Sequence, residues 1–308
     1  MIALSWKPGG ARRLAGGLVL LAAACHSPPP PPDPAHVAAI ESYRAAREAR
    51  LRAEDGWLSL AGLFWLEPGA NTLGTAAGAD VVLPEGTAPA RAGTLFVEAG
   101  RVLLRAHRDS GLRIAGRLVG EEVLRSDAQG DPTVVRAGRV SFHVIDRKGR
   151  LGVRVKDPEA PARRAFTGLE FFPVDPRWKV TGRWIPFDHP REIRVANVIG
   201  QVSVTRVSGR VTFDYGGTTY SLMPLVDDPF TEELFFVFAD STNGEQTYHA
   251  GRFLTADPIR DGRVVLDFNR AYNPPCAFTR FATCPLPPGE NRLSVAVEAG
   301  EKAYHGVH

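Results

Sequence analysis

The sequence predicts an all-β protein with one N-terminal helix and two β lobes. Three observations point there. From Gly56 onward, short runs alternate apolar and polar residues, with glycine-containing turns between them. A single long segment before Gly56 carries apolar residues at helical spacing. No self-similar unit of roughly 20–50 residues recurs, which argues against a propeller or a solenoid.

The elements follow in order. Residues 1–24 have a basic start (Lys7, Arg12, Arg13) and an apolar run from Leu14 to Ala24. That run is too short to span a bilayer and reads as a secretory signal peptide. Its end, "LAAAC", resembles a bacterial lipobox, with Ala22 where leucine is commonest, and this implies lipidation of Cys25. Ordinary cleavage near Ala24, with Cys25 incidental, is the alternative. By resemblance to outer-membrane lipoproteins, His26 after the cysteine implies an outer-membrane destination facing the periplasm. Residues 25–35 hold the lipidated cysteine and five consecutive prolines, which form an extended polyproline tether. Asp33-Pro34 supplies a cap and a first-turn proline for a surface helix over 36–55, with Val37, Ile40, Tyr43, Arg47 and Leu51 on one stripe.

The first β lobe runs over 56–157 and the second over 158–304, with a seam in "KDPEAPARRAFTGLEFFPVDPRW", whose prolines interrupt strand pairing. Hairpin turns are predicted at Ala99-Gly100, Lys148-Gly149, Ser208-Gly209 and Gly216-Gly217.

Charge and cysteines narrow the function. The chain has 37 basic and 34 acidic residues. Losing Lys7, Arg12 and Arg13 with the leader leaves 34 of each, so the formal +3 belongs to the targeting segment. No polybasic block remains to suggest nucleic acid. Besides Cys25 only Cys276 and Cys284 remain, and an even pair in an exported chain reads as a disulfide. A C-x7-C metal site is the rival, but no second pair or nearby histidine completes four ligands. No metal or cofactor is expected. The anchor makes the membrane one partner, and a small molecule or glycan is the other candidate.

The motifs "DGWLSLAGLFWLEPGANTLG", "FADSTNGEQTYHAGRFL", "DFNRAYNPPCAF", "CPLPP" and "ENRL…AGEK" resemble the bacterial and archaeal family called domain of unknown function 1684. The resemblance spans roughly Tyr43 to Lys302 and implies no activity or catalytic residues. Within the first lobe, "GANTLGTAAGADVVLPEGTAPARAGTLFVEAGRVLLRA" is similar to the opening strands of forkhead-associated domains. Thr75 stands after Gly74 where those domains have arginine, and "APARAG" lacks their Ser-x-x-His. The likeness therefore implies a forkhead-associated-like sandwich without phosphothreonine binding. The second lobe is expected to be an antiparallel sandwich or barrel-like unit.

There is no G-x-S-x-G elbow, P-loop, dinucleotide fingerprint or H-E-x-x-H. His107 and His143 read as ordinary strand residues, Asp188-His189 as a turn pair, and His305 and His308 as a solvated tail. The richest region is Leu234 to Asn269. "LFFVFAD", "QTYHAGRFL" and "RVVLDFN" read as a three-stranded meander, with residue 240 opposite 246 and 254 opposite 263. Its polar edge collects the candidates Asp240, Glu245, Tyr248, Arg252, Asp267 and Asn269. The proline-rich, crosslinked segment folds back over that edge and adds Tyr272 and Asn273. Two readings stay open. One is a non-catalytic binding module using this polar face. The other is a hydrolase or lyase with Asp240 or Asp267 as acid or base and Arg252 as electrostatic stabiliser. A buried Arg252–Asp267 ion pair is the structural alternative to any site.

Overall fold

The computed structural model describes residues 33–225 and 233–307. Cys25, most of the polyproline tether, the signal peptide and His308 lie outside the described residues. Helix α1 (Pro34–Arg52) starts at Asp33, whose carboxylate accepts from the Ala35 backbone N–H. Ile40, Arg47 and Leu51 are its buried residues. The narrow apolar stripe suffices because polar side chains fasten the same face. His36 bonds Asp267, the Tyr43 hydroxyl donates to the Arg270 carbonyl, and Arg47 pairs with Glu301 at 2.9 Å. No described helix is long and apolar enough to cross a membrane.

The first lobe contains β1 (Leu60–Trp65), β2 (Gly69–Gly74), β3 (Val81–Val82), β4 (Gly93–Glu98), β5 (Arg101–Ala106), β6 (Arg113–Ile114), β7 (Arg117–Leu118), β8 (Glu121–Leu124), β9 (Val135–Ala137), β10 (Val140–Arg147) and β11 (Arg150–Lys156). They form two sheets, ordered β1-β11-β10-β9-β6-β7 and β3-β2-β4-β5-β8. Leu73, Leu95 and Leu104 of one sheet meet Phe142, Val144 and Val153 of the other in a single core, which makes the lobe a β sandwich. Two predicted hairpins appear here. Ala99-Gly100 and Lys148-Gly149 occupy left-handed backbone conformations, with Lys148 at φ 59° and Gly149 at φ 86°.

Residues 157–178 form the seam, which holds the short helix α2 (Pro161–Ala165). The second lobe then adds β12 (Lys179–Ala196), β13 (Val202–Tyr215), β14 (Thr218–Leu222), β15 (Leu234–Phe238), β16 (Arg252–Ala256) and β17 (Arg263–Asp267). Its main sheet is ordered β14-β13-β12-β17, and β15 pairs with β16 alone. Val211, Phe213, Leu222, Val264 and Leu266 turn one face of the main sheet onto Phe236, Phe238 and Leu254. The opposite face is polar and open, the usual arrangement of an antiparallel sheet covered on one side.

The structure departs from three expectations. Ser208-Gly209 is not a turn but lies inside β13; the β12–β13 connection is residues 197–201. Gly209 is needed because a Cβ there would sit 2.4 Å from the Trp184 ring. The meander does not form, since β17 pairs with β12 (Lys179 opposite Asp267) and not with β16. Finally, "QTYHAG" is a loop, and Phe238 stands opposite Arg252, so the predicted register is wrong as well. The cause is local: Asp240, Thr242, Asn243 and Thr247 bond to one another and to nearby backbone, which competes with strand pairing.

Candidate functional site

The predicted polar residues separate into three buried networks and an exposed remainder. Arg252, at the start of β16, is fully buried. Its Nη2 donates to Asp240 Oδ2 at 2.9 Å and to the Val297 carbonyl at 2.8 Å, and its Nη1 donates to the Ala299 and Glu301 carbonyls. Asp240 is itself saturated, accepting from the Thr242 N–H and hydroxyl and from the Val297 N–H. The expected Arg252–Asp267 pair is therefore corrected to Arg252–Asp240. Burial pushes the Arg252 guanidinium below its ordinary range, and Asp240 pulls it back.

The second network joins α1 to the C-terminal segment. Glu301 accepts from Arg47 and from the Asn273 backbone N–H, while the Asn273 side-chain amide donates to the Lys302 carbonyl. Burial pushes the Glu301 carboxyl up, against the pull of Arg47. Tyr272 lies beneath Arg47, whose guanidinium sits 5.0 Å from the ring centroid.

The third network is centred on Asp267. Its Oδ2 meets His36 Nε2 at 2.6 Å, and its Oδ1 accepts from the Asn269 backbone and side-chain amides. Asn269 also clamps Asp175 through both its amide nitrogen and its oxygen. The His36–Asp267 pair lines a recess of about 300 Å³ together with Tyr43, Lys179, Asp257 and Arg270. Of the remaining candidates, Glu245 is exposed on the 240–251 loop, and Tyr248 is half-buried against His249. Burial raises the Tyr248 hydroxyl above its ordinary range.

Sequence reasoning missed His36, Arg47 and Glu301. Arg47 lay on the predicted helical stripe and Glu301 in the "AGEK" motif, so both were visible as residues but not as partners.

The crosslinked segment does form a disulfide, Cys276–Cys284. It runs beside the end of the β12–β13 hairpin. The Val198 N–H donates to the Cys284 carbonyl and the Leu286 N–H to the Ala196 carbonyl. Across from it, the β10–β11 turn of the first lobe approaches, and Arg147 Nε donates to the Thr283 hydroxyl at 3.1 Å. Between these three segments opens a cleft of about 710 Å³, lined by Asp146, Arg147, Lys148, Val195, Val202 and Ser203 among others.

The first-lobe wall of this cleft carries Asp146, Arg147 and Lys148. Arg147 is neutralised by Asp127 at 2.8 Å, but Lys148 has no carboxylate partner among the described residues. Behind the wall, Arg154 is buried without an ion pair among the described residues; burial and then Arg147 lower it to about 10, against the pull of Asp127. The same surroundings, burial first and then Arg154 and Lys156, depress His143 to about 4. Among the described residues no cluster of three or more His, Cys, Asp or Glu side chains is placed to hold a metal ion.

No curated protein matches this chain. An uncharacterized protein of Haloarcula marismortui, whose solution structure was determined by NMR, is 32% identical over 47% of this chain and 82% of its own, with a TM-score of 0.39. The family described as "Protein of unknown function (DUF1684)" matches residues 164–302, a shorter span than the motifs alone suggested. The chain belongs to that family.

Proposed function

We propose that the protein is a lipid-anchored envelope lipoprotein that binds a small amphipathic acid in the cleft between its β lobes, without catalysing a reaction. The observation that carries this reading is the cleft itself. At about 710 Å³ it falls in the size range of small-molecule sites, which favour the junctions between structural units. Its walls are fixed before any ligand arrives. Asp127, Arg147 and Thr283 tie the lobes together, and the disulfide holds the third wall. Val195, Val202 and Pro285 offer an apolar floor, and Lys148 offers a charge with no carboxylate partner among the described residues. Anchoring through Cys25 is supported by the lipobox-like leader, and the disulfide suits an oxidising compartment.

The buried Asp240–Arg252 network does not serve as this site, because its donors and acceptors are largely consumed by protein groups. The reading is tested by native mass spectrometry of the protein isolated from its membrane fraction, beside a Ser203→Trp variant that fills the cleft. An acidic small molecule retained by the wild type and absent from a normally folded variant is expected. Equal retention by both, or retention by neither, refutes the site.

One observation favours the second reading, a hydrolase or lyase. Asp267 orients His36 at the edge of a recess, an arrangement able to do acid–base work. Loss of a measured turnover in His36→Gln with unchanged stability would favour it over the binding module.

A further inference from the structure

We propose that the open face of the second lobe's four-stranded sheet is a separate ligand site, which takes a phosphomonoester carried on a polyol. The register gathers the site. Arg183 of β12 stands directly opposite Arg263 of β17 and opposite Thr212 of β13. Ile185 stands opposite Arg210, which places Arg210 diagonally from Arg183. Side chains directly opposite in an antiparallel pair lie roughly 5 Å apart at Cβ, and diagonal ones about 7–8 Å. The three arginines therefore stand on one face of the sheet, on adjacent strands. They line a depression of about 820 Å³ that shares no residue with the inter-lobe cleft.

Exposed strand arginines on this protein are of two kinds: Arg105 meets Glu121 at 2.8 Å and Arg206 meets Glu192 at 3.9 Å, while Arg101, Arg117, Arg136 and Arg194 form no ion pair among the described residues. Arg183, Arg210 and Arg263 form no ion pair, side-chain hydrogen bond or ring contact among the described residues. Asp214 and Asp261 line the same depression, yet neither bridges an arginine; Asp214 accepts from the Thr219 hydroxyl instead. Like charges placed directly opposite destabilise a strand pair. Arg113 and Arg136 also stand opposite one another without carboxylates, so the opposition alone does not mark a site; what distinguishes this face is three arginines against two carboxylates in one depression, an excess that suits an anion.

The composition of the depression narrows the ligand. Guanidinium forks match the oxygens of phosphate in bidentate fashion, and three of them exceed what one carboxylate can use. The volume is far larger than a bare phosphate needs. Thr181, Thr212, Asp214 and Asp261 surround the arginines with groups suited to sugar or polyol hydroxyls. Nucleic acid fits poorly. Trp184 and Phe213 turn to the core, so among the described residues the depression offers Ile185 but no ring on its open face on which bases stack.

The phosphomonoester could belong to a free sugar phosphate or to a lipid headgroup, and the test separates them. Isothermal titration of the purified full-length protein uses glucose 6-phosphate, glucose and inorganic phosphate. Flotation uses the Cys25→Ser protein, which carries no acyl anchor, with phosphatidylcholine vesicles with and without phosphatidic acid. Glucose 6-phosphate should bind, more tightly than inorganic phosphate, and glucose should not. Arg183→Ala and Arg263→Ala should each weaken binding at least tenfold without lowering the melting temperature, whereas Ser203→Trp should leave it unchanged. Binding to phosphatidic acid vesicles alone, lost in the same arginine variants, assigns the headgroup as the source and keeps the chemistry. The proposal is overturned if neither source binds, if the arginine variants bind as the wild type does, or if inorganic phosphate binds as tightly as the sugar phosphate. Loss of binding in Ser203→Trp would also overturn it, by moving the anion to the inter-lobe cleft.

Discussion

Replacing Arg252 by alanine tests whether the sequence's most conspicuous polar cluster is architecture. The side chain is fully buried, and it satisfies one carboxylate oxygen and three main-chain carbonyls. Truncation leaves Asp240 charged in a dry interior and strands the Val297, Ala299 and Glu301 carbonyls. Breaking a buried ion pair from one side costs about 3–5 kcal/mol. For a body of this size each kcal/mol moves the midpoint by about 2–4 °C, so the melting temperature should fall by roughly 6–20 °C. Chemical denaturation followed by tryptophan fluorescence reads the free energy directly. Trp178 and Trp184 pack in or against the same core and report on this lobe. An Arg252→Met/Asp240→Leu double variant, which removes both charges together, should recover the part of the loss due to the stranded charge but not the part due to the unpaired carbonyls and the donors that Asp240 accepts. A single variant within about 1 kcal/mol of wild type would show that the network is dispensable, and the architectural reading would fail.

The crosslink, a half-buried histidine and the anchor each give a separate test. Cys276→Ser with Cys284→Ser opens a nine-residue loop and should cost about 2.6 kcal/mol by chain entropy, measured by urea titration. A variant as stable as wild type would show that the crosslink does not hold the cleft wall. His143 is depressed from an ordinary value near 6.5 to about 4, so the folded state binds its proton more weakly than the unfolded chain. Its contribution is complete above about pH 6.5 and declines as the pH falls toward 4, by about 1 kcal/mol at pH 5.5. His143→Gln should flatten that limb of a stability–pH curve, and an unchanged limb would place the titration elsewhere. Cys25→Ser should release the protein from the membrane fraction or leave it unprocessed; normal processing with membrane retention would refute lipid anchoring.

Features readable from the sequence are those set by local interactions. Asp33-Pro34 capping and the stripe through Ile40 and Leu51 identify α1, because both act within a turn or two of helix. Lys148-Gly149 and Gly216-Gly217 identify hairpins because their positive φ angles demand such residues. Ser208-Gly209 misled because its glycine answers a long-range need, room for Trp184 on the neighbouring strand. Alternation in "RVVLDFN" marked β17 correctly as a strand with Val264 and Leu266 inward, but alternation carries no partner identity, and β12 took the place expected for β16. Polar candidates were found by residue type, while burial depth was invisible. The sequence left open whether Arg252 joined a buried ion pair or an open site; it is interior, but paired with Asp240 where Asp267 was expected. The arginines of the outer face escaped notice because Arg183, Arg210 and Arg263 are far apart in the chain and adjacent only through register.

If the protein binds as proposed, the ligand sits between the lobes and not in the Asp240–Arg252 network. A crystallographic screen of the protein with small amphipathic acids locates a binder whatever its identity. Density is expected against Val195 and Val202, with the acid group near Lys148. Density around Asp240 and Tyr248 instead, or an inter-lobe cleft that stays empty through the screen, would contradict it.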